Sequence, residues 1–291
     1  MTSIVVHGGA GDVPVERHAR LRAAVRAAAA AGHAILAAGG PALDAVVAAV
    51  RVLEDDPELN AGLGSVLTRD GTVETDAAVM TGHDQRIGAV GAVPDLGCAI
   101  ALARAVLERG EHVLLAGSAA LAFAAEVGIV PAAPGALITE RARARLAAHL
   151  ARGGDSEREG GTVGAVARDR AGRFAAATST GGMVGKRAGR IGDSPIAGAG
   201  TWADRGVAIS ATGDGEAILR VALARTISLR SAGGLDASVR TSLAELATMT
   251  GGSAGVIAID ADTRVTLRLS QTMPVAWVDA SGAGDSLGDP A

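Results

Sequence analysis

Strand-like and helix-like segments are grouped along this chain rather than strictly alternating, and that grouping limits what it can fold into. Ile4-Val5-Val6 is a short β-branched run ended by His7-Gly8-Gly9-Ala10-Gly11, so it reads as a first strand that turns sharply. Residues 16–38 are alanine-rich and read as a helix. Pro41 then opens a second helix, with Leu43, Val46, Val47, Val50 and Leu53 at helical spacing. A hairpin is predicted at 66–68 and 72–75 around Arg69-Asp70-Gly71, with a further strand at 89–93. Helices follow at 98–107, 118–127 and 140–151. Residues 152–161 form a polar, glycine-flanked linker. Beyond it come strands at 162–168, 173–178 and 207–211, a helix bearing Ile218, Leu219, Val221 and Leu223, and a helix at 235–249. A last hairpin is predicted at 256–260 and 264–269. Such blocks argue for antiparallel sheets covered by helices, an α+β fold in a single domain spanning 1–291. A four-layer αββα sandwich fits them, and other α+β arrangements meet the same periodicity.

The interior has few large side chains to work with. Two Phe, two Trp and no Tyr stand among 291 residues, so the core falls to Ala, Val, Leu and Ile. A net charge of −4, with no basic stripe and almost no aromatic surface, argues against nucleic-acid binding. Cys98 is the only cysteine, which excludes an internal disulfide and suits a reducing compartment; at the head of an Ala-rich helix it reads as a small packing residue. The longest uncharged apolar run, 113–125, is shorter than the roughly 20 residues a membrane span needs. The N-terminus carries no basic segment followed by an apolar one. A cytoplasmic protein with no membrane partner is therefore expected. His7, His18, His33, His83, His112 and His149 form no metal-binding spacing, and no transition-metal cofactor is expected. Arg141, Arg143 and Arg145 read as a solvated helix face.

The chemistry is concentrated between residues 160 and 216. Gly160-Gly161 ends the linker, and Thr162-Val163-Gly164-Ala165-Val166 begins as a strand. A threonine hydroxyl at its ordinary pKa is a poor nucleophile and needs a base beside it. Cutting the Gly161–Thr162 bond would supply one, because the freed α-amine of Thr162 has a reference pKa of about 7.7–8.0. Thr162 would make that cut itself by attacking the Gly161 carbonyl, where the absence of a Cβ accommodates strain. Taken alone, Gly-Thr is more simply a strand following a linker. Its company changes the reading.

Seven motifs provide that company. They are His7-Gly8-Gly9-Ala10-Gly11, Leu53-Glu54-Asp55-Asp56-Pro57, Asn60-Ala61-Gly62, Gly161-Thr162-Val163-Gly164-Ala165-Val166, Thr178-Ser179-Thr180-Gly181-Gly182, Gly189-Arg190-Ile191-Gly192-Asp193-Ser194-Pro195 and Thr212-Gly213-Asp214-Gly215-Glu216. In this order and spacing the chain resembles the isoaspartyl peptidase/plant-type L-asparaginase family of N-terminal-nucleophile hydrolases from about residue 4 to 278. The resemblance implies autocleavage between Gly161 and Thr162 into an α chain of 1–161 and a β chain of 162–291. It implies Thr162 as nucleophile, Thr180 as its hydrogen-bonding partner, and the Thr212 hydroxyl with the Gly213 N–H as oxyanion hole. Arg190 would take the substrate α-carboxylate and Asp193 the α-ammonium, with Asn60 and Gly213 also at the substrate. The implied substrates are L-asparagine and β-aspartyl dipeptides, and the implied assembly is a homodimer of αβ units. No organic cofactor is implied. A structural sodium ion would sit on the main-chain carbonyls of Leu53, Glu54, Asp56, Leu59, Ala61 and Leu63, although an ordinary capped loop accounts for the same residues.

Three departures from the family pattern stand near the site. Gly185 replaces a common Asn and puts the rigidity of its loop in question. Asp95-Leu96-Gly97 replaces an Asn-Pro pair. Asp214 adds a negative charge beside the implied oxyanion hole.

Other readings are weaker. Gly251-Gly252-Ser253-Ala254-Gly255 matches a serine-hydrolase elbow, but a helix is predicted before it and a strand after it, the reverse of what that elbow requires. Gly181-Gly182-Met183-Val184-Gly185-Lys186 lacks both the first glycine and the final hydroxyl of a phosphate-binding loop. Within the superfamily the alternative is a glycosylasparaginase, which Gly182 and Gly161 disfavour. An uncleaved, non-catalytic binding protein of the same family is the remaining alternative.

Overall fold

The computed structural model describes residues 1–153 and 161–291. The chain begins with β1 (Ser3–His7), α1 (Val15–Ala37) and α2 (Ala42–Glu54), followed by β2 (Glu74–Thr81), β3 (Ile87–Pro94), α3 (Ala99–Arg109) and β4 (Leu114–Ala116). Helices α4 (Gly117–Glu126) and α5 (Glu140–Ala151) lead to the linker predicted at 152–161, of which residues 154–160 lie outside the described residues. Next come β5 (Val163–Arg168), β6 (Phe174–Thr180), β7 (Thr201–Ala203) and β8 (Ala208–Gly213). Three helices follow, α6 (Gly215–Val221), α7 (Leu223–Arg230) and α8 (Leu235–Thr250). The chain closes with β9 (Ala254–Ile259), β10 (Arg264–Arg268), β11 (Val275–Asp279), β12 (Gly282–Ser286) and β13 (Asp289–Pro290).

The strands make two mainly antiparallel sheets in an α+β fold. One has the order β12-β11-β1-β5-β6-β2-β3-β4 and the other β13-β10-β9-β8-β7. Period-two alternation decides what each face covers. Ile4 and Val6 of β1 join Ala165 and Ala177 in a core completed by α1, α2 and α3. Val5, Val166 and Ala176 point the other way, into a core shared with Ala208, Ile257 and Ile259 of the second sheet. Ile209, Val256 and Ala258 turn from there toward Ile218, Ile227, Val239 and Leu243 of the last three helices. Small side chains fill much of this space, as the composition requires: Ala28, Ala45, Ala49, Ala77, Ala165 and Ala177 are fully buried.

Several elements differ from the sequence reading. The hairpin predicted across 66–75 does not form. The turn is present, with the Gly71 N–H donating to the Thr68 carbonyl at 3.0 Å, but Thr68 pairs in parallel with Lys186. Val66, Leu67 and Val73 meet their need for burial in a cluster with Leu137, Ala142, Leu146 and Val184. The strand begins later, at Glu74, and β2 lies between β3 and β6. The helix predicted through Leu223 is two helices, broken at Ala222, whose φ is +45°. Strands β4, β7, β11, β12 and β13 were not anticipated. All except β11 and β12 are two or three residues long, and β11 and β12 extend the large sheet beyond β1.

Candidate active site

The three threonines converge where β5 and β6 of the large sheet meet β8 of the small one. Strands β5 and β6 pair Val163 with Ser179, and that register continued by one residue sets Thr162 across from Thr180. Thr212 on β8 reaches the same point from the facing sheet. Its Oγ1 accepts hydrogen bonds from the N–H of Thr162 and the N–H of Ala10, each at 3.1 Å. Thr180 Oγ1 accepts from the Gly182 N–H at 2.9 Å and so shapes the turn that follows β6. All three threonines are buried.

Gly161 is pressed against the first glycine turn. Gly9 has φ +105°, and a Cβ there would overlap Gly161 Cα; a Cβ on Gly161 would lie 2.8 Å from Gly9 Cα. Two backbones cross at this point without room for a side chain on either. Beneath them lies His7, paired with Gly164 in the sheet register. Its Nε2 is 2.9 Å from Ser210 Oγ, which in turn is 2.9 Å from Thr178 Oγ1. Burial keeps the ring neutral, with its pKa pushed down to about 3 against a backbone interaction with Thr162 that raises it. This His7–Ser210–Thr178 chain was missed in the sequence. Its signal, polar residues at alternating positions inside buried strands, is weak without the partner strand in view.

Arg190 and Asp193 stand together on the loop between β6 and β7. Glu216 Oε1 and Oε2 accept from Arg190 Nε and Nη2 at 3.0 and 2.8 Å. The other edge of the guanidinium, Nη1 with Nη2, is framed by glycines. Cβ atoms on Gly192, Gly215 and Gly182 would lie 2.7 Å from Nη1, 2.8 Å from Nη2 and 3.3 Å from Nη1. The Gly215 Cβ position is also 2.7 Å from Asp193 Oδ1, so the Gly215 backbone packs directly against both the cation and the anion, with no room for a side chain between them. Asp193 is buried, and its Oδ2 has no partner among the described residues. Burial pushes its pKa up to about 7, opposed by its own backbone N–H and by Arg190.

The framework beneath this loop is built from charged side chains to which the sequence reading gave no role there. Asp76, fully buried on β2, accepts from Gly192 N–H at 3.0 Å and Ala92 N–H at 2.7 Å. Lys186 donates to the Glu74 carbonyl at 2.8 Å, and burial lowers its pKa while Asp76 and Glu74 raise it. Glu54, at the end of α2, accepts from Ser179 Oγ at 2.7 Å and from the Ile100 N–H at 2.9 Å. Its pKa is raised to about 7 by burial, against those hydrogen bonds and Arg51. Asn60 sits one layer away from Arg190. Its Nδ2 donates to the Gly182 carbonyl at 2.7 Å, and its Oδ1 accepts from Val66 N–H at 2.9 Å.

The departures find structural counterparts. His149 of α5 packs on Gly185, and a Cβ at 185 would overlap its ring; the loop is held by the Gly185 N–H donating to the Leu67 carbonyl at 2.8 Å. Asp214 caps α6, its Oδ1 accepting from the Ala217 N–H at 3.3 Å. Asp95 takes φ +50°, and its Oδ1 accepts from the Gly135 N–H at 3.3 Å.

The expected solvated arginine face on α5 is corrected. Burial of Ala142 and Leu146 turns Arg141 and Arg145 into a cleft they share with Gly8, Arg17 and Gly161. Arg141 donates to the Glu58 carbonyl at 2.6 Å. Only Arg143 behaves as expected, exposed and paired with Glu140 at 3.0 Å.

Around the loop after α2, the carbonyl oxygens of Asp56, Pro57 and Leu59 surround the point where a Gly64 Cβ would lie. The carbonyls of Leu53, Asp56 and Ala61 each also accept a backbone N–H. Among the described residues no group of three or more His, Cys, Asp or Glu side chains is arranged around a common metal position. No helix among them is long and apolar enough to cross a membrane. The Ser253 elbow does have α8 before it and β9 after it, as the reversed context requires.

Comparison with known proteins gives a consistent picture. The family model described as asparaginase matches residues 1–287. An isoaspartyl peptidase/L-asparaginase of Bos taurus is 45% identical over 266 residues, covering 88% of this chain and 86% of its own. One of Macaca fascicularis is 50% identical over 229 residues, covering 76% of this chain and 74% of its own. An isoaspartyl peptidase of Salmonella typhimurium is 42% identical over 295 residues, covering 94% of both chains.

Proposed function

The chain belongs to the asparaginase family, and from that membership we propose that it hydrolyses the side-chain amide of L-asparagine and the isopeptide bond of β-aspartyl dipeptides, with Thr162 as nucleophile. The observation that carries the reading is the meeting of Thr162, Thr180 and Thr212 at one end of both sheets, with Thr180 bonded to the Gly182 turn that packs on Arg190.

Cleavage comes first. Thr162 Oγ1 attacks the Gly161 carbonyl carbon, the peptide nitrogen leaves with a proton, and water hydrolyses the resulting ester. The products are an α chain of 1–161, ending in a carboxylate, and a β chain of 162–291, beginning with a free amine. In turnover that amine takes the Thr162 hydroxyl proton as Oγ1 attacks the substrate β-carbonyl carbon. The Thr212 hydroxyl and the Gly213 N–H receive the oxyanion. Collapse breaks the bond to the leaving amine, which departs with the proton, and water then frees L-aspartate from the acyl-enzyme. Arg190 holds the α-carboxylate and Asp193 the α-ammonium. The buried location makes both pairings stronger than at a surface.

The two-sheet fold with helices packed on each sheet supports the four-layer αββα sandwich of N-terminal-nucleophile hydrolases, and we extend the proposal to a dimer of αβ units. A structural sodium ion belongs to it too, on the carbonyls of Leu53, Glu54, Asp56, Leu59, Ala61 and Leu63. Convergence of Asp56 and Leu59 beside Gly64 supports that site, whose chemistry would be neutralisation of carbonyl dipoles rather than catalysis. Asn60 is assigned to holding the Gly182 turn against the substrate space.

The test compares product release from L-asparagine, a β-aspartyl dipeptide and N-glycosylated asparagine. Turnover of the first two supports the reading. Turnover of the glycosylated substrate alone replaces it with a glycosylasparaginase, and a chain that stays uncut and turns over none of them leaves the uncleaved binding protein.

A further inference from the structure

The cleft that Arg141 and Arg145 of α5 share with Gly161 lies beside the bond before Thr162. Gly9 and Gly161 form part of its wall, and Asn60 another part. Ala10 lines it too, and its N–H shares the Thr212 Oγ1 acceptor with the Thr162 N–H, each at 3.1 Å. Arg190 and Asp193 are not among the lining residues. Asn60 stands between, its Nδ2 donating to the Gly182 carbonyl at 2.7 Å, and the Gly182 Cβ position is 3.3 Å from Arg190 Nη1.

Positive charge prevails in this cleft. Arg17, Arg141 and Arg145 line it against Asp12 and Glu58, and Arg17 already meets Glu58 at 2.8 Å. Arg141 and Arg145 are one helical turn apart, on the face that the buried Ala142 and Leu146 turn inward, so both half-buried forks reach the same space. Arg141 Nη1 donates to the Glu58 carbonyl, a neutral acceptor that orients the fork. Planar guanidinium forks are suited to taking a carboxylate at two points.

We infer that this cleft is a subsite for the leaving residue of a β-aspartyl dipeptide, with Arg145 and Arg141 taking its C-terminal carboxylate. This rests on the reading of function above. L-Asparagine releases ammonia, which carries no carboxylate, whereas a β-aspartyl dipeptide releases an amino acid that does. With the aspartyl α-carboxylate at Arg190 and the β-carbonyl at Thr162, the leaving amine departs beside the Thr162 nitrogen. Gly161, the neighbour of that nitrogen, lines the cleft. The competing role for the same arginines is to hold the carboxylate that the cut creates on Gly161, which would serve every substrate alike.

Two compounds that differ only in the terminal carboxylate, β-aspartyl-glycine and β-aspartyl-glycinamide, separate these roles. On fully cleaved wild type, kcat/KM is expected to be about tenfold higher for the acid, equivalent to about 1.4 kcal/mol, mostly through KM. Arg145→Ala and Arg141→Ala each bring that preference to within about threefold, the mark of direct coupling between the arginine and the carboxylate. Arg145→Lys keeps part of the preference, and Arg143→Ala, on the exposed side of the same helix, keeps all of it. Equal rates for acid and amide in wild type overturn the inference and leave the hydrolase reading intact. A preference that survives in both alanine variants also overturns it, and is the result expected if the arginines serve Gly161 or the fold alone. Hydrolysis of neither compound by wild type ends the dipeptidase reading and this subsite together.

Discussion

Thr212 Oγ1 accepts the N–H of Thr162 at 3.1 Å, and the nitrogen it holds is the one that cleavage would release as an amine. The same oxygen accepts the Ala10 N–H at 3.1 Å, so one hydroxyl ties the nucleophile to the glycine turn after β1. Thr212→Val keeps the shape and removes the acceptor, leaving two buried N–H groups unpaired. Cleavage slows, and kcat for L-asparagine in the cleaved fraction falls by about 10²-fold, the usual scale for loss of one oxyanion donor. Steady-state kinetics and gel densitometry measure both; an undiminished kcat would remove Thr212 from the chemistry.

Gly9 is the second control point. Its φ of +105° and its contact with Gly161 leave no space for a methyl group. Gly9→Ala therefore moves one of the two crossing backbones, at a cost of about 1–3 kcal/mol for the strained conformation alone. The variant is expected to fold, since the turn lies at the sheet end, and to stay largely uncut at times when wild type is fully processed. Cleavage at the wild-type rate would show that this crossing has no part in presenting the bond.

Substrate recognition is expected to depend on pH through Asp193. Its pKa of about 7 comes mainly from burial. Below that value the carboxyl is protonated and cannot pair with an ammonium, so L-aspartate affinity falls as pH drops from 8 to 6. The limiting slope approaches about tenfold per pH unit. Calorimetry across this range should show the slope in wild type and lose it in Asp193→Asn, which binds weakly throughout. A flat wild-type profile would contradict the assignment.

The same carboxyl carries a stability consequence of opposite sense. Its folded pKa of about 7 stands above the ordinary 3.8, so between those values the native state keeps a proton that the unfolded chain has released. Stability from this group is therefore lost as pH rises from about 4 to 7, by roughly 4 kcal/mol as an upper bound. Glu54, raised to about 7 from 4.5, acts in the same direction. Asp193→Asn should melt higher than wild type at pH 8 and alike at pH 4, by scanning calorimetry. Equal melting at pH 8 would mean the native state ionises Asp193 without penalty.

Much of this was legible in the sequence, and the gaps have physical causes. Long helices such as α1 and α2 announce themselves by period and composition, and Glu140–Ala151 was bounded correctly. The 66–75 segment misled because Val66, Leu67 and Val73 carry strand-like side chains whose burial is satisfied by α5 and the loop at 183–186. Strand β11 escaped because Val275–Asp279 is short and gains its pairing from β1, more than 260 residues earlier in the chain. At the site, hydroxyls and the Arg190–Asp193 pair stood out through motif and local chemistry. Asp76 did not, and the side chains of Glu54 and Glu216 stood in their motifs without a role, since each is defined by a partner distant in sequence: Gly192, Ser179 and Arg190 respectively.

The most direct test concerns the bond before Thr162. Purified wild type, analysed by intact mass and by sequencing from the new amino terminus, should give two associated fragments, residues 1–161 and 162–291, the second beginning Thr162-Val163-Gly164. Thr162→Ala should remain one chain and release no ammonia from L-asparagine. Full hydrolytic activity in a protein whose residues 161 and 162 are still joined would contradict the tethered amine as base, and with it the nucleophile assigned here.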